Sequence, residues 1–286
     1  MDRYQQAVDL LPEDYRLRLE KIKEAEEIRL RVGRAPTILR DGREQSFSER
    51  RSDENDLLCV LERASGASLH SVADAMRQGY LSYRGVRIGV CGTALSVGVG
   101  GGFGQFSSLC LRIPGEWRGI GRELIPRLQE NLHSGTLILS PPGGGKTSLL
   151  REYIRCLSEG GVRVGAVDER NELSASDEGC AAFDLGRCTD TLVGMNKTEG
   201  AMLLLRCMNV QLIAMDEITK AEDLETVLQI AGCGVGILAS AHAADPGQMY
   251  RRPLYRALLE SGVFTQAVCI SGTGKSRRYR LEEIRL

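Results

Sequence analysis

Ser140-Pro141-Pro142-Gly143-Gly144-Gly145-Lys146-Thr147 sets three glycines directly before a lysine and a threonine. That combination suits a triphosphate cradle. Glycines admit positive φ and close backbone approach, so Pro142, Gly143, Gly144, Gly145, Lys146, Thr147 and Ser148 are the expected nucleotide-binding residues. Lys146 would reach the β- and γ-phosphates, and the Thr147 hydroxyl would ligate Mg²⁺. Ser140 stands where the general pattern G-x-x-x-x-G-K-[ST] has its first glycine. A glycine-rich turn that merely caps a helix is the competing reading. Context weighs against it. Thr136–Leu139 reads as a short buried strand, and Leu150, Ile154 and Leu157 fall on one helical stripe. Strand, loop and helix N-terminus together aim backbone N–H groups at phosphate oxygens.

A second signal is Val210-Gln211-Leu212-Ile213-Ala214-Met215-Asp216-Glu217, an apolar strand ending in two acids. The C-terminal edge of such strands is where α/β sheets bind ligands. Asp216 is expected to hold Mg²⁺ through water or Thr147, and Glu217 to polarise the attacking water. Val167-Asp168-Glu169-Arg170 ends another apolar stretch with a further acidic pair, making Glu169 the rival base. A solvated acidic turn explains that pair equally well. His242 follows the strand-like Val235–Ala241 and reads either as a γ-phosphate sensor or as a structural histidine. Phosphoryl transfer also calls for positive charge over the γ-phosphate. Arg87, Arg112, Arg170, Arg187 and Arg206 are candidates, and none is evidently fixed beside the glycine loop within its own domain.

Gly272-Thr273-Gly274-Lys275-Ser276 repeats the G-K-S ending, but no helical stripe follows it. Val268-Cys269-Ile270 precedes it and Tyr279-Arg280-Leu281 comes after, so Ser271–Ser276 reads as a turn between two strands.

Elements that would position these residues divide the chain by texture. Residues 1–114 mix short helices with alternating strands. Pro12 before Glu13 and Asp14 opens a helix whose apolar face continues through Tyr15, Leu19 and Ile22. Glu27–Val32, Val86–Val90 and Leu109–Ile113 alternate as half-buried strands, with Gly98–Gly104 as a loop tip. From 115 to 286 the texture is α/β. Thr136–Leu139, Val162–Val167, Val210–Met215, Val235–Ala239 and Val263–Ile270 suit buried parallel strands, most of them separated by helices. Ala175–Thr198 is aperiodic and glycine-spaced, which suggests a long active-site loop. The expected fold is therefore an α/β nucleotide-binding domain with a parallel-rich sheet, preceded by a smaller α+β domain.

Composition narrows the class. The 286 residues are 42% hydrophobic and 26% charged, with a formal net charge of −1. That balance fits a soluble globular protein and disfavours nucleic acid as a partner. No apolar run approaches the ~20 residues of a membrane span, and the N-terminus lacks a signal peptide's apolar core. A cytoplasmic protein is expected. Its nine cysteines show no C-x-x-C pair, so they read as reduced, small hydrophobes rather than metal ligands.

Taken in order, the glycine loop, Val167-Asp168-Glu169-Arg170, Asp216-Glu217 and Ala241-His242 resemble the Walker A, Asp box, Walker B and His box of the secretion-superfamily ATPases of type II secretion and type IV pili. Glu27–Pro36 is similar to the strand and turn opening their N-terminal domain, and Leu205-Arg206 also matches. Within that superfamily the chain resembles the stage III sporulation protein AA family of endospore-forming bacteria. Ser140–Gly143 with Gly145-Lys146-Thr147, Gly186-Arg187-Cys188-Thr189-Asp190, Lys197-Thr198-Glu199-Gly200 and Asp216-Glu217-Ile218 carry that likeness across nearly the whole chain. Thr219-Lys220 departs from the Arg-Asp common in pilus motors.

The resemblance implies a RecA-like P-loop ATPase using ATP and Mg²⁺. It also implies a homo-oligomeric ring, a hexamer, cytoplasmic but peripheral to a membrane-embedded sporulation channel. A neighbour's N-terminal domain, through Arg87 or Arg112, would then complete the site. Two other readings are a nucleic-acid-directed RecA-like or AAA+ ATPase and a slowly hydrolysing nucleotide-dependent scaffold. Near-neutral charge argues against the first, and Glu217 against the second.

Overall fold

A computed structural model describes residues 3–22, 24–40, 42–66, 79–95, 102–113, 115, 118–176, 181–272 and 276–284. The chain forms two compact units, Met1–Gly115 with Asp177–Ala182, and Glu116–Ser176 with Phe183–Leu286.

The first unit opens with helices α1 (Arg3–Asp9) and α2 (Glu13–Leu19). Strands β1 (Glu27–Arg31), β2 (Thr37–Arg40) and β3 (Arg43–Ser46) follow, then α3 (Glu54–Ala64), β4 (Tyr80–Tyr83), β5 (Val86–Leu95) and β6 (Gly102–Arg112). The strands make one antiparallel sheet in the order β3-β2-β1-β6-β5-β4. Alternation decides which side is buried. Ile28, Leu30, Val86, Ile88, Val90, Leu109 and Leu111 cluster with Tyr15, Leu19, Leu57, Val60 and Leu61 of the helices. Gly102–Gly104, expected in a loop tip, instead begin β6, while Gly98–Gly101 lie outside the described residues.

The second unit contains α4 (Ile125–Glu130), β7 (Gly135–Leu139), α5 (Lys146–Glu159), β8 (Val164–Asp168) and β9 (Thr189–Val193). It continues with α6 (Lys197–Cys207), β10 (Leu212–Met215), α7 (Ala221–Gly232), β11 (Gly236–Ala241), α8 (Pro246–Met249), α9 (Pro253–Glu260), β12 (Phe264–Ser271) and β13 (Arg278–Glu283). Its sheet runs β13-β12-β7-β11-β10-β8-β9, parallel throughout except for β13.

Central strands are buried on both faces, as parallel sheets require. Ile138, Ala214, Leu238 and Val268 pack with Leu149, Leu150, Ile154 and Leu157 of α5 and with α4. The alternate residues Leu137, Ile213, Met215, Ile237 and Ala239 pack with α6, α7 and α9 on the other side.

Strand β9 corrects the expectation of a long loop over Ala175–Thr198. Its residues pair with β8 from Val164↔Thr189 to Asp168↔Val193 and form the edge of the sheet. Asp177–Cys180 lie outside the described residues, as do Thr273–Lys275 between the antiparallel β12 and β13. Among the described residues every cysteine is free, and no helix is long and apolar enough to cross a membrane.

Candidate active site

Strand register assembles the site. Leu139 ends β7 and pairs with Ala241 of β11, which sets His242 level with Ser140. Met215 pairs with Ala239 on one side and Val167 on the other, so Asp216, Ser240 and Asp168 share the next row. These side chains leave the sheet together at its C-terminal edge, facing the N-terminus of α5.

The glycine loop has the conformation its glycines allow. Gly143 has φ +73° and Gly145 φ +98°, and Gly145 caps α5 in the left-handed region. Ser140 is fully buried. A Cβ on Gly144 would lie 2.3 Å from its Oγ, so residue 144 must be glycine while serine fills position 140.

Lys146 is 5% exposed. Its Nζ lies 2.9 Å from His242 Nδ1, and His242 Nε2 lies 2.9 Å from Glu217 Oε1. An ammonium has donors only. With Lys146 charged, Nδ1 must accept and Nε2–H must donate to Glu217. Burial lowers the Lys146 pKa, and Asp216 and Glu217 oppose that shift.

Thr147 Oγ1 donates to Asp216 Oδ2 at 2.6 Å. The other Asp216 oxygen accepts from Ser240 Oγ and, at 3.1 Å, from the Glu217 N–H. Glu217 itself has φ +49°, a left-handed conformation unusual for glutamate. Its Oε2 accepts from Arg170 Nη1 at 2.9 Å.

The Asp-box acids separate in role. Asp168, 2% exposed, accepts the N–H groups of Glu172, Leu173 and Ser174 and the Ser174 hydroxyl. It pins the turn carrying Glu169 and Arg170. Glu169 belongs to a neighbouring cluster: Lys197 Nζ is 2.8 Å away and Lys220 Nζ 3.8 Å away. Hydrogen bonding to Lys197 holds its carboxyl below the usual range, against burial.

The candidate arginines disperse. Arg170 joins Glu217. Arg187 precedes β9, and Arg206 ends α6 ahead of β10, so both sit at the opposite, N-terminal edge of the sheet. In the first unit Arg87 and Arg112 face each other across β5 and β6. Arg87 lies over the Tyr80 ring at 4.1 Å, and Arg112 is 4.0 Å from Glu27.

Two contributors escape a sequence reading. Ser240 ties Asp216 to the Glu217 turn, and a polar residue inside an apolar strand was its only signal. Arg277 lies against Gly145, a neighbour that only strand order reveals.

The chain matches the family model "Sporulation stage III, protein AA" over residues 1–281. It is 31% identical to stage III sporulation protein AA of Bacillus subtilis (strain 168) over 275 residues, covering 92% of this chain and 89% of that protein. Its fold is similar to the X-ray structure of the Legionella pneumophila ATPase DotB, with TM-score 0.62, 18% identity, and coverage of 94% of this chain and 79% of the other. It is also similar to the crystal structure of the pilus retraction motor PilT with bound ADP. There the TM-score is 0.65 at 15% identity, over 99% of this chain and 82% of that one. At these identities the likeness establishes the fold, a RecA-like α/β domain preceded by an N-terminal domain.

Proposed function

The chain belongs to the Sporulation stage III, protein AA family, and from that premise we propose that it binds and hydrolyses ATP as a secretion-type motor. In this reading residues 115–286 form the ATPase domain and residues 1–114 the partner domain of a ring, working at a membrane-embedded channel of endospore formation. One observation carries the enzymatic part. The loop lysine is linked through His242 to Glu217, while the loop threonine is bonded to Asp216.

Each residue then has a task. Backbone N–H groups from Gly143 to Ser148 cradle the phosphates at the head of α5. Lys146, desolvated and with no carboxylate in direct contact among the described residues, gains its counter-charge from the β- and γ-phosphates. Thr147 Oγ1 and Asp216 Oδ2 form a hard oxygen pair that suits Mg²⁺, an ion usually held by one or two protein oxygens, waters and phosphates. When bound, that ion would neutralise charge on the β- and γ-oxygens. Glu217, held by His242 and Arg170, takes the proton of the attacking water. His242 touches both Lys146 and Glu217, so it senses the lysine's shift toward phosphate and passes it to the base.

The test is ATP turnover by purified protein, with and without Mg²⁺, beside Lys146→Ala. Mg²⁺-dependent phosphate release lost in the variant is expected. Wild-type protein that neither binds nor turns over ATP refutes the reading.

A further inference from the structure

We propose that Arg277 contacts the phosphate chain of the nucleotide, supplied by the same chain as the glycine loop, at its α/β end. This rests on the nucleotide-binding reading above and names a residue of that same site.

Topology brings Arg277 there. Strand β12 lies beside β7, with Cys269 level with Leu139, the last residue before the loop. Two further residues carry β12 past that level to Ser271. Gly272 has φ +79°, and a Cβ on it would meet the Ser276 carbonyl at 2.6 Å, so Gly272 and Ser276 lie close together. Pairing resumes at once with Ser271↔Arg278. Arg277 is held between Ser276, close against Gly272, and the paired strand β13, which makes its position a consequence of the backbone.

Its head group lies against the loop. The guanidinium carbon is 3.0 Å, Nε 3.2 Å and Nη1 3.3 Å from the point where a Cβ of Gly145 would stand. Arg277 Nε is buried and has no hydrogen-bond partner among the described residues. No carboxylate among the described residues forms an ion pair with this side chain. A guanidinium keeps its charge in any protein environment, and a buried donor left unbonded is costly. The neighbouring surface is a loop of left-handed glycines at a helix N-terminus, built for anions. The planar fork of arginine matches phosphate oxygens two at a time.

Strand order also says which part of the nucleotide it serves. Glu217, Asp216 and His242 follow β10 and β11, on one side of β7, whereas Arg277 directly precedes β13, which pairs with β12 on the other side. It therefore faces away from the hydrolytic residues and acts on binding rather than on the γ-phosphate. ADP and ATP should both depend on it.

The experiment measures ADP and ATP binding by calorimetry on full-length protein, with tripolyphosphate as competitor. Wild type is compared with Arg277→Ala, Arg277→Gln and Lys146→Ala, each checked by thermal melting. Loss of a charge-assisted contact should weaken ADP and ATP alike by about ten- to a hundredfold. Tripolyphosphate competition should weaken by a similar factor. Arg277→Gln keeps a packed polar side chain, so the same loss in a protein melting like wild type assigns the effect to charge. Unchanged ADP affinity in both Arg277 variants overturns the inference while leaving the nucleotide site intact, provided Lys146→Ala still abolishes binding. Weaker ADP with unaltered tripolyphosphate competition also overturns it, placing Arg277 on the base or ribose. Wild-type protein that binds no nucleotide overturns this inference together with the reading on which it rests.

Discussion

Arg170 and Glu217, 47 residues apart in sequence, meet in a 2.9 Å ion pair at the C-terminal edge of the second unit's sheet. Arg170 is largely exposed, and such pairs contribute little to stability. Their consequence is positional. With Arg170 on one oxygen and His242 on the other, the Glu217 carboxylate is fixed despite its left-handed backbone.

Glu217→Gln should keep ATP affinity near wild type and lower turnover about 10²–10⁴-fold, the range for loss of a positioned general base. Glu169→Gln should act differently, because Glu169 is engaged by Lys197 and Lys220. Parallel binding and single-turnover measurements decide between them. Normal hydrolysis by Glu217→Gln with a dead Glu169→Gln would transfer the role of base to the Asp box.

Lys146→Ala should abolish nucleotide binding without lowering stability. The ammonium is desolvated, and its neighbour within hydrogen-bond reach is a histidine nitrogen. Removing a buried charge that has no direct ionic partner among the described residues costs the apo protein little and can stabilise it. Thermal melting in the absence of nucleotide checks this. A midpoint well below wild type would mean that Lys146 braces the loop rather than awaiting phosphate.

Ser140 and Gly144 form a steric pair that a double-mutant cycle can read. A methyl on Gly144 would meet Ser140 Oγ at 2.3 Å and Cβ at 2.7 Å, so Gly144→Ala should distort the loop and weaken ATP binding. Adding Ser140→Gly removes both clashing atoms and should restore much of the affinity. The remaining 3.1 Å approach to the Pro141 carbonyl limits full recovery. Additive losses would show that the two residues act independently.

The candidate site was legible in sequence where its geometry was local. An apolar strand ending in Asp216-Glu217, or a glycine loop running into α5, announces itself within ten residues of chain. What depended on strand order was not. Ser240 matters because β11 lies beside β10, and Arg277 because β12 lies beside β7. The sequence shows Asp168 and Glu169 as one acidic pair, yet the two part company in the fold, since the oxygens of Asp168 are occupied by the turn it caps. Strand β9 went unseen because Thr189–Val193 is half-buried and polar at the sheet edge, without the continuous apolar run that marks β7 or β11.

Acid stability should be sensitive to Glu152 of α5. This buried carboxylate accepts from Arg155 and from the Gly119 N–H. Burial opposes its charge, but those hydrogen bonds outweigh burial and hold its pKa below the ordinary value. A lowered folded-state pKa stabilises the fold above the unfolded value of about 4.3, and that contribution is lost as pH falls through the folded value. Glu152→Gln should therefore cost about 1.5–3 kcal/mol near neutral pH, the range for hydrogen bonds to charged groups. The difference should shrink as pH falls below about 4.3. Urea unfolding of both proteins across that range measures it, and a constant difference would contradict the linkage.

If an arginine supplied in trans serves the γ-phosphate, the first unit offers two candidates. Arg87 and Arg112 stand directly opposite each other on adjacent strands. Like charges so placed repel, and Glu27, 4.0 Å from Arg112, is shared with Arg29. An anion arriving there would relieve the repulsion. If a neighbouring subunit's phosphate is that anion, specific activity should rise with protein concentration, because an arginine supplied in trans is worth about 10³–10⁵ in rate. Lys146→Ala subunits cannot hold nucleotide but retain Arg112, whereas Arg112→Ala subunits hold nucleotide without it. Each alone should be inactive, and mixing them should recover part of the turnover through composite sites. Full activity of the Arg87→Ala and Arg112→Ala proteins at every concentration would instead place all the required charge within one chain.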